Sequence, residues 1–420
     1  MNIAIISSTS SFHQLAQMFL RNEKNCVYHY GANKCLESTE RYFPIHVSVP
    51  VHSSANDAIN FILEDIKDKN IDFVLASGIP IAMNKDAHRG LQELKIPYFF
   101  VSPEITSLEN NKTLTKKMLT SLGIPTGKGK EISGRELFDT FKIIPRPFVI
   151  KLNFIYQYGK QTMIVTDDNY EEVYYDLFSV RLNELPRPTN IRLDALMVIE
   201  EVIDITHEYS YHILANETNW EYLGSARDYK RIEDGDKGFN SVSMGAYNTD
   251  DVDSAVHEYA NKIYNFLKNR GTPYKGIMFL GIAVDKNNIP YVLEINTRAG
   301  DPELQVILDS VTNDLGELFL AASTGNKIPK ITHNSNKTVT VRLTNRVYDW
   351  TKPASYLPRL DPAPANILIG IEGTELFFIK HSVFTASGNS HQEASEEIYK
   401  YLNKQFVGQY RYRKDIGILK

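Results

Sequence analysis

Cysteine is scarce in this chain, with only Cys26 and Cys35 among 420 residues. Two cysteines are too few for a disulfide framework and fit a reducing compartment. No run of about eighteen apolar residues occurs, so we expect no membrane-spanning helix and no membrane partner. The opening letters MNIAII lack a basic segment and predict a first strand instead of a signal peptide.

An excess of positive charge is also missing. The chain has 46 lysines and arginines against 51 acids, and its net charge is −5. This balance argues against a nucleic-acid partner. Hydrophobic residues make up 42%, enough for a large core. We therefore expect a soluble, cytoplasmic protein, and its length suggests about three domains at roughly 150 residues each.

The first hundred residues alternate apolar runs with helical patterns. Strands are predicted at 2–7, 71–76 and 97–101, and helices at 12–20 and 86–94. This alternation favours a doubly wound parallel sheet in an N-terminal α/β domain.

The rest of the chain is richer in strand signals. A lysine-rich helix at 111–122 is stopped by Gly123 and Pro125. The later predicted strands are 148–151, 163–165, 197–201, 209–215, 276–284, 290–296, 338–343 and 376–379. Helices are predicted at 252–269 and 390–406. Residues 330–420 are interpreted as a separate α+β unit.

The most informative stretch is residues 291–305, YVLEINTRAGDPELQ. Along a strand, alternate residues face one side, so Glu294, Asn296 and Arg298 would project together if the strand reaches Arg298. Carboxylate and carboxamide oxygens suit Mg²⁺, and an arginine can hold a carboxylate or a phosphoryl group. Ordinary polar alternation on an exposed strand is the alternative, which the following Gly-Asp-Pro-Glu turn weakens.

Three weaker signals precede that stretch. Lys151 ends an apolar strand, a short turn contains Gly159 and Lys160, and Glu200 follows a buried strand. Such positions could meet a nucleotide's phosphates and its adenine edge. Taken singly, each is more typical of a solvated lysine, an ordinary turn or a strand end.

In combination these motifs resemble ATP-grasp carboxylate–amine ligases, and within them the phosphoribosylamine–glycine ligase family. The family signature is Arg-Phe-Gly-Asp-Pro-Glu, a variable residue, then Gln or Met; residues 298–305 read RAGDPELQ, with Ala299 the one departure. The resemblance covers about 108–325 and returns in the tail. The other matching segments are 111–112, 149–151, 199–201, 228–231, 244–247 and 413–417.

The resemblance implies an α/β and α+β multidomain fold. A doubly wound, Rossmann-like pre-ATP-grasp domain would span 1–107, an ATP-grasp domain 108–329 with a mobile lid at about 122–195, and a small α+β domain 330–420. It implies ATP with Mg²⁺ or Mn²⁺ as cofactors, and an amino acid, expected to be glycine, plus an amine as substrates. A monomer or a homodimer is expected.

It also implies site residues. Catalytic roles fall on Arg298 and Asp301, and metal binding falls on Glu294 and Asn296. The residues implied to bind the nucleotide are Lys112, Lys151, Gly159, Lys160, Glu200, Glu201, Val202, Ile203, Glu208 and Lys230. The residues implied to bind substrate are Ser10, Ser11, Asp228, Asn240, Met244, Gly245, Arg298, Arg413 and Lys414.

The pattern breaks near the expected amine site. The family's glycine-rich loop, Gly-Asn-Gly-Gly-Arg-Glu-His, is replaced at residues 7–13 by SSTSSFH, and the lid loop at 153–161 carries bulky Tyr156 and Tyr158. The serines and threonine could bind phosphate at a helix N-terminus, or they could cap that helix.

Three functions remain open at this point. The chain makes glycinamide ribonucleotide from glycine and phosphoribosylamine, as in purine biosynthesis. Alternatively, it joins glycine or another amino acid to a different amine. The third possibility is nucleotide binding without catalysis, against which the intact metal pair argues.

Overall fold

The computed structural model describes residues 1–7, 9–31, 44–49, 55–77, 79–153, 162–177, 196–345, 363–364, 366–373, 379–405 and 410–418. The helices in these ranges are α1 Ser10–Phe19, α2 Ala55–Ile66, α3 Ile79–Ala82, α4 Lys85–Glu93, α5 Pro103–Asn110, α6 Lys112–Ser121, α7 Gly134–Ile143, α8 Tyr170–Tyr175, α9 Ser254–Asn269, α10 Glu303–Leu308, α11 Leu315–Thr324 and α12 His391–Gln405.

The first strands are β1 Asn2–Ile6, β2 Cys26–Gly31, β3 Ile45–Ser48, β4 Phe73–Ala76, β5 Tyr98–Phe99, β6 Gly129–Ser133, β7 Phe148–Leu152, β8 Thr162–Val165, β9 Leu196–Glu201 and β10 Ile205–Ala215. The later strands are β11 Trp220–Asp228, β12 Arg231–Glu233, β13 Lys237–Asn240, β14 Gly245–Asn248, β15 Gly276–Asp285, β16 Pro290–Asn296, β17 Lys337–Asn345, β18 Ile367–Gly373, β19 Ile379–Gly388 and β20 Tyr410–Arg411.

The N-terminal sheet is parallel throughout, with the order β3-β2-β1-β4-β5. Ile3 and Ile5 of its central strand pack into one apolar cluster, whereas Ala4 and Ile6 pack into another. A strand that is buried on both faces is typical of a doubly wound sheet. The predicted α/β arrangement is therefore confirmed.

Helix α1 is buried along its whole length, although it carries two glutamines. Gln14 Nε2 donates to the Leu368 carbonyl at 2.9 Å, and Gln17 Nε2 donates to the Ile369 carbonyl at 2.7 Å. The backbones come so close that a Cβ at Gly370 would lie 2.6 Å from the Ser10 carbonyl oxygen. The start of the chain is thus fastened to strand β18 near its end.

The four-stranded antiparallel sheet has the order β6-β9-β7-β8 and packs against α7. It contains the strands predicted at 148–151, 163–165 and 197–201, each within one residue of the predicted bounds. Parts of the predicted lid, residues 154–161 and 178–195, lie outside the described residues, as do Gly159, Lys160 and the tyrosines at 156 and 158.

The largest sheet has the order β16-β15-β10-β11-β14-β17-β19-β18, with β20 paired to β17. Strand β17 joins it by pairing with β14, where Tyr247 lies opposite Val339. The strands of the predicted C-terminal unit therefore extend the central sheet, and the proposed boundary at 329 stays a prediction. Of the strand predicted at 376–379, residues 376–378 lie outside the described ranges, and residue 379 begins β19.

Two compositional expectations can be set beside the structure. Across the described ranges, no helix is both long and apolar enough to span a membrane. Cys26 is a free thiol, and Cys35 lies outside the part of the chain that is described.

Candidate active site

Helix α6 links the four-stranded sheet and the largest sheet through two lysines one turn apart. The Asn111 side chain caps the helix by accepting from Leu114 N at 2.9 Å. Lys112 Nζ lies 3.1 Å from Glu294 Oε2 on β16, and Lys116 Nζ lies 2.9 Å from Glu200 Oε1 on β9. Residues i and i+4 share a helix face, so one face of α6 places a positive charge against each sheet.

Lys151 completes this arrangement from strand β7. Its Nζ lies 2.7 Å from Glu200 Oε2 and donates to the Leu293 carbonyl at 2.9 Å. Lys151 and Glu200 are both buried. Glu200, which was predicted to bind the nucleotide, therefore lies between two lysine ammonium groups, and sequence reasoning did not identify its second partner, Lys116.

The predicted metal pair, Glu294 and Asn296, lies at the C-terminal end of β16. Asn296 Nδ2 donates to Glu294 Oε1 at 3.0 Å. The Lys112 ammonium, with help from Lys230, holds the pKa of Glu294 well below its usual range, so this carboxylate is ionised. An ionised carboxylate beside a carboxamide has the hard oxygens that a divalent cation prefers.

The described residues contain no group of three or more His, Cys, Asp or Glu side chains that could hold a metal ion. A cation at Glu294 and Asn296 would therefore take its other ligands from phosphates and water, which is the usual habit of Mg²⁺. The residues present fit a nucleotide-bound cation.

Arg298 does not share the strand face of Glu294, because β16 ends at Asn296. Its guanidinium is held from helix α5, where Glu109 Oε1 accepts from Arg298 Nε at 2.9 Å. The other Glu109 oxygen accepts from Thr297 N at 2.9 Å. Glu109 is buried and was not predicted, since nothing in its local sequence separates it from an ordinary helical acid.

Asp301 connects three distant parts of the chain. Ser10 Oγ donates to its two carboxylate oxygens at 2.7 and 2.9 Å, and Gln305 Nε2 donates to Oδ1 at 3.0 Å. The buried Arg342 of β17 reaches Asp301 Oδ1 at 3.4 Å. The structure thus brings the predicted residues Ser10 and Asp301 together and adds Arg342, which sequence reasoning missed.

Hydroxyl groups surround the start of α1. Ser7 Oγ lies 3.0 Å from Thr9 Oγ1, and Thr9 Oγ1 lies 3.2 Å from both Ser11 Oγ and Ser77 Oγ. The N-cap residue Thr9 makes no side-chain cap to the helix. We call Ser7, Thr9, Ser11 and Ser77 the hydroxyl cluster; its members bond mainly to one another, so the capping interpretation does not describe them.

Glu208, Asp228 and Lys230 form a second charged group on β10 and at the end of β11. Lys230 Nζ lies 3.1 Å from Glu208 Oε2. The Asp228 carboxylate raises the pKa of Lys230. Burial raises the pKa of Asp228 itself. These three predicted residues are close together, and their roles stay predictions.

Some predicted substrate residues have structural surroundings. Met244 is fully buried in the core beneath α12, so its side chain cannot line a substrate site. A Cβ at Gly245 would lie 2.3 Å from the Thr340 carbonyl oxygen, which makes this glycine a packing requirement. Asn240 ends strand β13, opposite Arg231.

The tail residues also have internal partners. Arg413 is buried, and its guanidinium donates to Asp236 Oδ1 at 2.7 Å and to Asp415 Oδ2 at 2.6 Å. Lys414 is exposed, and its backbone N–H donates to Asp234 Oδ1 at 2.8 Å. These contacts favour a structural role for Arg413, and the predicted substrate role of both residues stays untested.

The segment predicted to meet adenine joins the two sheets. Val202 and Ile203 connect β9 to β10, and Val202 is exposed. Glu201 turns away from Glu200 and accepts from Lys128 N at 3.2 Å.

Comparison with known proteins gives consistent matches. Residues 110–304 match the family described as phosphoribosylglycinamide synthetase, ATP-grasp (A) domain. A phosphoribosylamine–glycine ligase of Leptospira interrogans is 28% identical over 344 residues, which are 77% of this chain and 78% of that protein. A phosphoribosylamine–glycine ligase of Haemophilus influenzae is 26% identical in an alignment that covers 99% of this chain and 98% of that protein.

Solved structures show the same architecture. The crystal structure of phosphoribosylamine–glycine ligase from Thermotoga maritima matches with a TM-score of 0.77 at 22% identity, covering 99% of this chain and 100% of the other. Biotin carboxylase of Campylobacter jejuni matches with a TM-score of 0.71 at 16% identity, covering 98% and 93%. These matches confirm the predicted fold class.

Proposed function

We propose that this chain is an ATP-dependent carbon–nitrogen ligase of the ATP-grasp type, similar to phosphoribosylamine–glycine ligase. It would join glycine to phosphoribosylamine and give glycinamide ribonucleotide, ADP and phosphate. The relatives named above carry this activity in their names, and the proposal extends it to this chain.

One observation carries the proposal: opposite charges meet in the gap between the four-stranded sheet, which carries Lys151, and the largest sheet, which carries Glu294. Lys112 and Lys151 each pair with a carboxylate, at 3.1 and 2.7 Å, and the ionised Glu294 lies beside Asn296. Phosphoryl transfer depends on positioning and charge neutralisation more than on a protein nucleophile. Paired ammonium groups and a cation-binding carboxylate supply both.

The roles follow from the charges. Lys112 and Lys151 would bind phosphate oxygens of ATP, and the segment with Val202 and Ile203 would meet adenine. Glu294 and Asn296 would hold Mg²⁺ or Mn²⁺, which supplies charge neutralisation to the transferred phosphoryl group. Arg298, held by Glu109 at 2.9 Å, would orient the carboxylate of glycine.

The test is phosphate release from ATP and Mg²⁺ by the purified protein. It is run with glycine alone and then with glycine plus phosphoribosylamine generated in the same reaction. We expect strong release only with both substrates. If ATP binds but neither mixture releases phosphate, the proposed substrates are wrong.

A specific observation favours a second candidate, a ligase with a different amine. The segment SSTSSFH lacks the glycines and the arginine of the family loop, and its hydroxyls are bonded to one another and to Asp301. Phosphate release with glycine and another amine, together with none from phosphoribosylamine, would establish this candidate.

A further inference from the structure

Glu303 and His212 face each other beside Gly300, and the roles above use neither side chain. A Cβ at Gly300 would lie 2.9 Å from Glu303 Oε2 and 3.0 Å from His212 Nε2. Both polar atoms therefore point into the same small space, which is available only because residue 300 has no side chain.

The packing around this space holds both side chains in place. His212 of β10 lies opposite Gly224 of β11, and a Cβ at Gly224 would lie 2.5 Å from Ile307 Cγ2 of α10. The imidazole also stacks on Phe279, with ring centroids 5.0 Å apart. Helix α10, which begins at Glu303, therefore packs closely against the sheet that carries His212.

Both groups are removed from water. Glu303 is 7% exposed and His212 is 0% exposed. Within the described part of the chain, neither ring nitrogen of His212 makes a hydrogen bond of normal geometry, although the Ser210 backbone is close enough to act on the imidazole. A buried polar group without a partner is costly unless it serves a ligand or a proton.

The charges nearby suit a group that gains and loses a proton. Burial and the neighbouring Asp228 carboxylate raise the pKa of Glu303 to about 8, and Arg298 opposes this shift. Burial lowers the pKa of His212 to about 3, so the imidazole stays neutral at neutral pH and can accept a hydrogen bond. A base is most effective when its pKa lies near the working pH.

The position of Glu303 also fits the reacting end of the site. It follows Asp301 and Pro302 directly in the chain, and Arg298 and Asp301 are the residues implied to act on the acyl phosphate. Glu303 is also close enough to Asp301 and Arg298 for both charges to act on its carboxyl group.

We propose that Glu303 is the base that takes the proton from the attacking amine, and that His212 positions the carboxyl group. This inference rests on the proposed ligase function. The neutral amine nitrogen attacks the acyl carbon with its lone pair and, as the C–N bond forms, gives one proton to the Glu303 carboxylate. The acyl C–O bond breaks, phosphate leaves with the bonding electron pair, and Glu303 passes the proton to the departing phosphate.

The test separates the two half-reactions in Glu303→Gln, which keeps the size of the side chain. Hydroxylamine is an α-nucleophile and attacks an acyl phosphate without needing a base. With ATP, Mg²⁺, glycine and hydroxylamine, we expect E303Q to form glycine hydroxamate at the wild-type rate. With phosphoribosylamine, amide formation should fall by about 10²–10⁴-fold.

The exposed Glu317→Gln is the matched control and should leave both rates unchanged. His212→Phe should lower amide formation less than E303Q and move the basic limb of its pH–rate profile, which a purely structural role would not do. Amide formation by E303Q at the wild-type rate would overturn the base role. Failure of the wild-type protein in both reactions would instead overturn the proposed substrates and, with them, this inference.

Discussion

The gap between the antiparallel sheets and the hydroxyl cluster are built from opposite kinds of group. In the gap, Lys112, Lys116 and Lys151 each face a carboxylate at 2.7 to 3.1 Å. In the hydroxyl cluster, neutral oxygens bond to one another. Charged pairs can exchange partners with phosphates, whereas hydroxyls select a ligand by shape and hydrogen bonding.

This difference follows the sequence. The gap carries the segments that match the family, including Lys151 and Glu294, while residues 7–13 carry the largest departure from it. We infer that ATP use is retained and that the amine end has been remodelled. Changes in the gap should therefore stop phosphoryl transfer, and changes near the hydroxyl cluster should alter the second substrate.

The largest effect is expected for Lys151→Ala. Removing this ammonium takes a positive charge from the transferred phosphates, so phosphate release should fall by at least about 10²–10³-fold. The fold should persist, because Glu200 keeps Lys116 at 2.9 Å. The measurements are phosphate release and thermal unfolding, with Lys117→Ala as the control, since Lys117 is exposed and pairs with Glu131.

Wild-type activity in Lys151→Ala would show that the lysines in the gap do not bind the phosphates, and the contrast with the hydroxyl cluster would then be wrong. A variant that fails to fold would be recognised by its unfolding curve, and Glu294→Gln gives a second test of the same site.

A smaller effect is expected from pH, through two buried histidines. Burial and the neighbouring His13 and His46 lower the pKa of His29 well below its ordinary value, and burial lowers that of His212 to about 3. As the pH falls, these histidines are protonated in the unfolded chain before they are protonated in the folded chain. Their contribution to the free energy of unfolding is therefore fully present above about pH 6.5 and is lost as the pH falls below it. Each group should cost about 1.4 kcal/mol per pH unit until its folded-state pKa is reached.

Urea unfolding between pH 7.5 and 5 measures this slope. His29→Phe keeps an aromatic ring against His13 and His46, whose ring centroids lie 5.4 Å away. The variant should therefore lose the contribution of one titrating group to the dependence of the unfolding free energy on pH. An unchanged dependence would show that His29 does not titrate in this way.

The smallest effect is expected for Ser10→Ala. Asp301 loses two hydroxyl contacts but keeps Gln305 at 3.0 Å and Arg342 at 3.4 Å. A hydrogen bond to a charged group is worth about 1.5–3 kcal/mol, so the KM of the amine should rise by about 10- to 150-fold. Hydroxamate formation from glycine should not change. An equal loss in both reactions would mean that Ser10 supports phosphoryl transfer and not binding of the amine.

The sequence was most informative where local pattern decides structure. Strand β16 is predicted with its observed bounds, and the metal pair lies on it as alternation requires. Strands β2 and β3 were not identified, since their histidines and tyrosines do not form an apolar run. The position of Arg298 was missed for a related reason, because alternation does not reveal where a strand ends.

Partners that meet only in the folded chain were beyond reach. Glu109 lies 189 residues from Arg298, and Lys116 lies 84 residues from Glu200. Nothing near either residue marks it as a member of a site. The joining of β17 to β14 was missed likewise, because strand signals do not say which edge a strand will pair with.

The burial of helix α1 against strand β18 has a consequence for how the protein is made. Gln14 finds the Leu368 carbonyl across 354 residues of chain. At about 5–20 residues per second, the ribosome needs roughly 20–70 s to supply that partner. Helix α1 therefore waits for its partner long after it has been synthesised, and until then its two glutamines and its apolar face depend on water or a chaperone.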